Sequence, residues 1–299
     1  MPTPNSQLTI FNPKKTVICY SLDYDGSFAF NTTHQERVDP REKEKVVALT
    51  IRENAAFLNS IRRDKCDKQV FFVGSNRQDL IAEAKNAYGN GNGFAFDTIQ
   101  KIAENYLAAE FNPFLLGTLL ECEGQYFVYD DKVPMVYAQM HTAAQQYPND
   151  NIIFRFNDDK DAILQDLEDF FTENPDLIPA NVTLEINSYD RRNSPLPVKR
   201  ASIQGMGKID NDIYATLVKI NQLTAEPADK YVGRYCKFGK PVTSTADEKS
   251  PDYIARRKKV CALSLFAHVD VEEVKATDMT NLDGVSKKIP MCSLEDDSL

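Results

Sequence analysis

Two aspartates two residues apart, at the end of an apolar run, open the chemical reading of this chain. Asp23 and Asp25 lie in Asp23-Tyr24-Asp25-Gly26-Ser27, directly after Thr16-Val17-Ile18-Cys19-Tyr20-Ser21-Leu22. A second acidic group, Asp158-Asp159-Lys160-Asp161, follows the run Asn151-Ile152-Ile153-Phe154-Arg155-Phe156 and Asn157. A third run, Gln69-Val70-Phe71-Phe72-Val73-Gly74, ends in Ser75, and Lys132 stands just ahead of Pro134 at the start of a helical stretch. Carboxylates are hard oxygen donors that suit magnesium, and neighbouring carboxyls can divide nucleophilic and acid–base work. A hydroxyl and an ammonium can hold and offset anionic oxygens. Taken singly, each group has a plainer reading. Asp23 and Asp25 fit an acidic turn, Ser75 a helix cap, Lys132 a solvated side chain, and Asp158-Asp159 the acid favoured at a helix start. Asp-x-Asp-Gly is also half of a calcium loop, but no helix precedes it, and positions five and twelve are Ser27 and His34.

The elements that must place these groups are legible around them. An apolar, β-rich run without Pro or Gly, such as 16–22, is the pattern of a strand buried on both faces of a parallel sheet. Residues ending such strands sit at the carboxyl edge, where open α/β folds build sites. In a regular strand Asp23 and Asp25 would share a face, and Gly26 allows the backbone to turn sharply away. Phe28-Ala29-Phe30 reads as a short strand and Asn31 to Arg41 as a loop. Helical spacing of apolar residues predicts one helix over Glu42–Arg63, others after Ser75 to about Tyr88, over Phe94–Phe111, from Lys132 to about Tyr147, and over Ala162–Phe171. Gly89 to Gly93 reads as a hinge or loop. Leu115–Leu120 is either a strand or a buried turn, and Gln125–Tyr129 alternates like a strand. Val182–Ile186 extends the sheet, Asp190–Lys199 is a loop, Ala201–Gly207 is a strand or a turn, and Ile209–Leu223 is a helix. Strand and helix in alternation imply crossovers and a parallel sheet.

In this order the four groups resemble the four motifs of the haloacid-dehalogenase-like (HAD) phosphatases. Those motifs are a strand ending Asp-x-Asp-Gly, a strand ending in Ser or Thr, a lysine at a helix start, and a strand ending in paired acids. The set in order is much harder to obtain by chance than any one member. The resemblance covers about residues 14–190. It implies a Rossmann-like α/β core and a magnesium-dependent phosphomonoester hydrolase. Asp23 would be the nucleophile and Asp25 the acid and then the base. Mg2+ would be held by Asp23, the backbone carbonyl of Asp25, and Asp158, with Asp159 in support. Ser75 and Lys132 would secure the phosphoryl oxygens. Ser27 stands where Thr is commoner in the family, and Lys199 is a second candidate for the lysine.

Composition narrows the field. The chain has 299 residues, 42% of them hydrophobic, and a net charge of −9. That is enough for a sizeable core and an appendage, and it argues against a nucleic-acid binder, whose surface would be basic. The six cysteines include no Cys-x-x-Cys pair, and the three histidines are not at ligand spacing, which argues against a zinc site. Cysteine usage fits reduced thiols, and residues 1–13 read as a loose arm. Neither a signal peptide nor an apolar run long enough to span a bilayer is evident. The setting expected is a reducing cytoplasm, its own or that of a host reached without a signal peptide.

We expect a phosphatase core over 14–227 and a helical appendage over 228–299, divided where the composition changes at Thr224-Ala225-Glu226-Pro227. The appendage carries Arg256-Arg257-Lys258-Lys259, a solvated face or a contact for an anionic membrane, and an acidic, disordered end. That end resembles the glutamate-rich tails that type IV secretion systems recognise. About forty residues separate Gly26 from the second strand, and about 57 separate Ser75 from Lys132. Neither interval easily holds a folded cap domain. A nearly capless site suits a large substrate, and capless members that dephosphorylate proteins include secreted bacterial effectors. A phosphorylated protein is therefore the substrate expected. The alternatives are a sugar or nucleotide phosphatase, a phosphoinositide phosphatase, and an inactive HAD-like binding module.

Overall fold

The computed structural model describes residues 14–29, 38–39, 41–78, 83, 86–87, 92–122 and 132–217. Six strands form one sheet: β1 (Thr16–Leu22), β2 (Lys68–Val73), β3 (Glu110–Phe111), β4 (Asn151–Asp158), β5 (Val182–Ser188) and β6 (Val198–Gln204). Their order is β3-β2-β1-β4-β5-β6. All neighbours are parallel except β5 and β6, which are antiparallel. This is the expected α/β class, a mostly parallel sheet flanked by helices.

Burial on both faces explains the apolar runs. On one face Val17, Cys19, Val70, Phe72, Phe154 and Leu184 pack with α5 (Val133–Gln146) and α6 (Asp161–Glu173). On the other, Ile18, Tyr20, Leu22, Phe71 and Val73 pack with α2 (Ala55–Ile61) and α3 (Ala95–Lys101). Successive strand residues alternate between the two cores, so apolar side chains dominate both faces, and buried polar ones such as Ser21 are hydrogen-bonded.

Several expectations need correction. The helix expected over 42–63 is two, α1 (Lys43–Glu53) and α2, broken at Asn54. The Asn54 side chain is buried and donates to the carbonyls of Thr50 and Phe28, each 2.8 Å away. It competes for backbone groups, as Asn does when it interrupts helices. Phe28-Ala29 is not a strand. Residues Tyr24–Phe28 form a wide helical turn, with Phe28 N donating to Asp23 O and Ala29 N to Tyr24 O. Residues 116–122 are neither strand nor turn but helix α4 (Leu116–Cys122). The helix over 94–111 gives way after Leu107 to Ala108 at φ 55° and then to β3. The loop after Asp190 ends sooner than expected, because β6 begins at Val198.

Residues 213–217 are helical. The expected arm, most of the loop over 31–41, the strand over 125–129 and the appendage from 228 lie outside the described residues. Among the described residues no helix is long and apolar enough to cross a membrane.

Candidate active site

The sheet reverses its direction of growth at β1, with β2 on one side and β4 on the other. Such a switch point leaves a crevice beyond the strand ends. Asp23 follows β1, Gly74-Ser75 follow β2, and Asp158-Asp159 close β4. The edges are fastened to each other. Asp23 N donates to Asn157 O over 2.9 Å, Gly74 N to Leu22 O over 2.8 Å, and Tyr189 N to Asp158 O over 2.8 Å. Close strand approach requires Gly74. A β-carbon there would lie 2.5 Å from Ser21 Oγ and 2.8 Å from Leu22 N.

Asp23, Asp158 and Asp159 converge, with one carboxylate oxygen of each within 4.8 Å of the others. Lys132, the residue ahead of α5, reaches into the same place. Its Nζ donates to Asp23 Oδ1 over 2.7 Å and to the Gly74 carbonyl over 2.7 Å, and lies 3.0 Å from Asp158 Oδ2. Ser75 is buried at the end of β2. Its carbonyl and that of Val73 accept from Gln78 Nε2 at 2.7 Å, and Gln78 Oε1 accepts from Leu116 N. Gln139 of α5 ties the same edge through Ser21 Oγ and the Val73 carbonyl.

The electrostatics are those of crowded acid. Burial, then the neighbouring Asp158, pushes the Asp23 carboxyl up to about 7, against the pull of Lys132. Burial and Asp158 likewise raise Asp159. Burial works to lower the Lys132 ammonium, but Asp158 and Asp23 more than offset it, so it is held charged. Three carboxylates against one ammonium leave an excess of two negative charges when all are ionised. Of the buried carboxylate oxygens, Asp159 Oδ1 has no hydrogen-bonded partner, and Asp158 Oδ2 meets Lys132 Nζ at 3.0 Å. A hard divalent cation answers both features, since it takes oxygen donors and favours the ionised form of each.

Asp25 goes elsewhere. β1 stops at Leu22, so the two aspartates do not share a strand face, and Asp25 is not one of the three converging carboxylates. Its carboxylate meets Arg77, with Nε 2.8 Å from Oδ2 and Nη2 2.5 Å from Oδ1, and receives Asn92 Nδ2 at 2.8 Å. Its side chain is 35% exposed, whereas that of Arg77 is 1% exposed. Lys199, the second lysine candidate, lies on β6 and pairs with Glu185, so Lys132 alone of the two joins the carboxylates.

Residue types and spacing did not disclose Arg77 and Asn92 as partners of Asp25, because they lie 52 and 67 positions further along the chain. The same holds for the cradle of the first turn. Ser27 Oγ donates to the Tyr189 carbonyl, Tyr189 OH to Asn54 Oδ1, and Arg191 to the Ser27 carbonyl. Ser27, which looked like a variant of a motif position, is a buried anchor for the loop after β5. Compared with known protein families, curated proteins and solved structures, the chain matches none.

Proposed function

We propose that this chain is a magnesium-dependent phosphomonoester hydrolase acting through an aspartyl-phosphate on Asp23, as in the HAD-like phosphatases it resembles. One observation carries the reading. Asp23, Asp158, Asp159 and Lys132, drawn from three separate parts of the chain, meet at the switch point of a parallel sheet. These are the groups the resemblance assigns to nucleophile, metal and phosphoryl binding. Asp23, Asp158 and Asp159 would hold the magnesium, with the Asp25 carbonyl that the resemblance adds. When bound, the ion supplies Lewis-acid neutralisation of phosphoryl charge.

The chain's own residues do the rest. A carboxylate oxygen of Asp23 attacks phosphorus, and the bond from phosphorus to the leaving oxygen breaks. Asp25, which has to enter this step protonated although Arg77 beside it favours the carboxylate, gives that proton to the leaving oxygen. Water then loses a proton to Asp25 and attacks phosphorus, the bond to Asp23 breaks, and phosphate leaves with Asp23 restored. Lys132 offsets the anion throughout from a place where little water screens it, and Ser75 donates to a phosphoryl oxygen.

The substrate we favour is a phosphorylated protein in a reducing cytoplasm, the cell's own or a host's. Helices α2 and α3, in the two intervals where a cap would be inserted, pack on the sheet as parts of the core. Arg192, half exposed, is forked on Asp190 and lies 3.8 Å from Asp159, a cation near the carboxylate group that an anionic substrate could meet. Cys19 and Cys66 are free thiols, in keeping with that setting. The test is magnesium-dependent release of p-nitrophenol from p-nitrophenyl phosphate by the native protein and by Asp23→Asn. Activity that needs magnesium and is absent in the variant supports the reading, and equal activity in the two contradicts it.

A further inference from the structure

Arg77 heads the large side chains that the fold buries completely, and the reaction above makes no use of it. A buried guanidinium has given up its hydration, so its donors must be matched within the fold. Here they are matched, and two of them meet one carboxylate. Nε and Nη2 grip both oxygens of Asp25 as a two-pronged fork, the geometry in which Arg binds carboxylate most selectively. Nη2 also donates to Asn92 Oδ1 at 2.8 Å and Nη1 to the Gly93 carbonyl at 2.6 Å, and Glu83 lies 3.7 Å from Nη1. Asn92 closes the ring by donating from Nδ2 to Asp25 Oδ1.

The ring is itself tied down. Tyr24 OH, beside Asp25 in sequence, donates to the Asn92 carbonyl at 2.7 Å and lies 3.2 Å from Thr98 Oγ1. The Arg77 guanidinium lies 5.0 Å from the centre of the Tyr24 ring. Gly93 has φ +85°, and a β-carbon there would meet Val46 of α1 at 2.5 Å. The backbone that presents Asn92 therefore accepts only glycine at its next position. Three segments, after β1, after β2 and before α3, converge on one carboxylate whose side chain is 35% exposed.

We propose that Arg77 and Asn92 are positioning residues that hold Asp25 at a fixed place beside Asp23, with one side of its carboxylate facing the leaving group. This rests on the phosphatase reading and goes beyond it. The arrangement explains how two aspartates two residues apart do different work. Asp23 is committed to the carboxylate group with Lys132, and Asp25 is gripped from the other side and kept out of that group. Proton delivery depends on distances of a few tenths of an ångström, so a loosened Asp25 transfers its proton poorly while Asp23 attacks as before.

The test separates proton delivery from everything else. Phenyl phosphate and p-nitrophenyl phosphate have nearly the same shape, but the phenolate of the first is much more basic and needs the proton more. We would measure kcat/KM for both substrates with the native protein, Asn92→Ala, Arg77→Lys and Asp25→Asn. Arg77→Lys retains the buried charge but cannot form the fork. Both positioning variants should lose at least ~10-fold more activity toward phenyl phosphate than toward p-nitrophenyl phosphate, and Asp25→Asn should show the same imbalance more strongly. Equal losses on both substrates would overturn the proposal while leaving the phosphatase reading intact.

A second measurement needs no turnover. Arg77→Lys should lower the thermal unfolding midpoint clearly less in an Asp25→Asn background than in the native one. The same shift in both would show that Arg77 does not hold Asp25, and would also overturn the proposal. A native protein that hydrolyses neither substrate removes the phosphatase reading and this role with it. That outcome is distinguished by a thermal coupling that persists without activity.

Discussion

Lys132 Nζ and Asp23 Oδ1 lie 2.7 Å apart, both buried, although 109 residues separate them in the chain. The lysine stands one residue before α5 and the aspartate one residue after β1, so a helix start is pinned to a strand end. Removing one member of a buried pair leaves the other charge uncompensated. Lys132→Met should therefore cost stability, about 3–5 kcal/mol by urea denaturation, and should abolish hydrolysis by at least ~100-fold. A variant that keeps native stability would show that the pair is not a structural one.

Gly26 sits under Asp159. It has φ +87°, and a β-carbon there would lie 2.5 Å from Asp159 Oδ2. Gly26→Ala combines left-handed backbone strain with displacement of a carboxylate from the three-aspartate group, and should lose about 1–2 kcal/mol. The magnesium concentration for half-maximal activity should rise several-fold. An unchanged magnesium requirement would mean that Asp159 does not help hold the ion.

Asn54 makes the break between α1 and α2 useful. Its amide group donates to the Phe28 and Thr50 carbonyls, and its Oδ1 accepts from Tyr189 OH at 2.7 Å. Asn54→Ala removes three buried bonds and should cost about 2–3 kcal/mol, whereas Tyr189→Phe removes one and should cost about 1 kcal/mol. Chemical denaturation of the two variants checks the ranking.

A pH effect on stability should come from His141. Its Nε2 contacts the Leu177 carbonyl at 3.0 Å, and Nδ1 accepts from Asp210 N at 2.9 Å, a pattern that needs the neutral ring. Burial lowers its affinity for a proton, against the opposing effects of the Leu177 carbonyl and the Asp210 carboxylate. Tyr137 packs on the same ring. The folded-state value lies below the unfolded one of about 6.5, so the unfolded chain binds more protons in that window. The contribution is present above about pH 6.5 and is lost as pH falls toward the folded value. The raised carboxyls of Asp23 and Asp159 act in the opposite sense, so the quantity to read is the difference in stability between the native protein and His141→Asn, which should narrow between about pH 8 and pH 5. A difference that does not change with pH would assign the effect to other groups.

Much of this was legible in the chain, for physical reasons that differ by element. β1, β2 and β4 are buried on both faces, so their apolar runs had no competing explanation, and the residues ending them were correctly placed at one sheet edge. β3 is two residues long, Glu110–Phe111, too short to carry a pattern. β6 is an edge strand with Val198 exposed, which hid its start in the preceding loop. The break at Asn54 depends on partners at Phe28 and Tyr189, and the direction of Asp25 depends on Arg77 and Asn92. Local propensity has no access to contacts of that range. Asp23, Asp158, Asp159 and Lys132 could be found because each ends or begins an element with a clear period.

The central claim is that Asp23 carries the phosphoryl group. The most direct measurement is acid quenching during turnover of p-nitrophenyl phosphate with magnesium, followed by mass spectrometry of the proteolysed protein. The account predicts one phosphoryl group on the peptide containing Asp23 in the native protein, and neither that adduct nor turnover in Asp23→Asn. A phosphoryl group on another residue, or turnover that survives in Asp23→Asn, would contradict it.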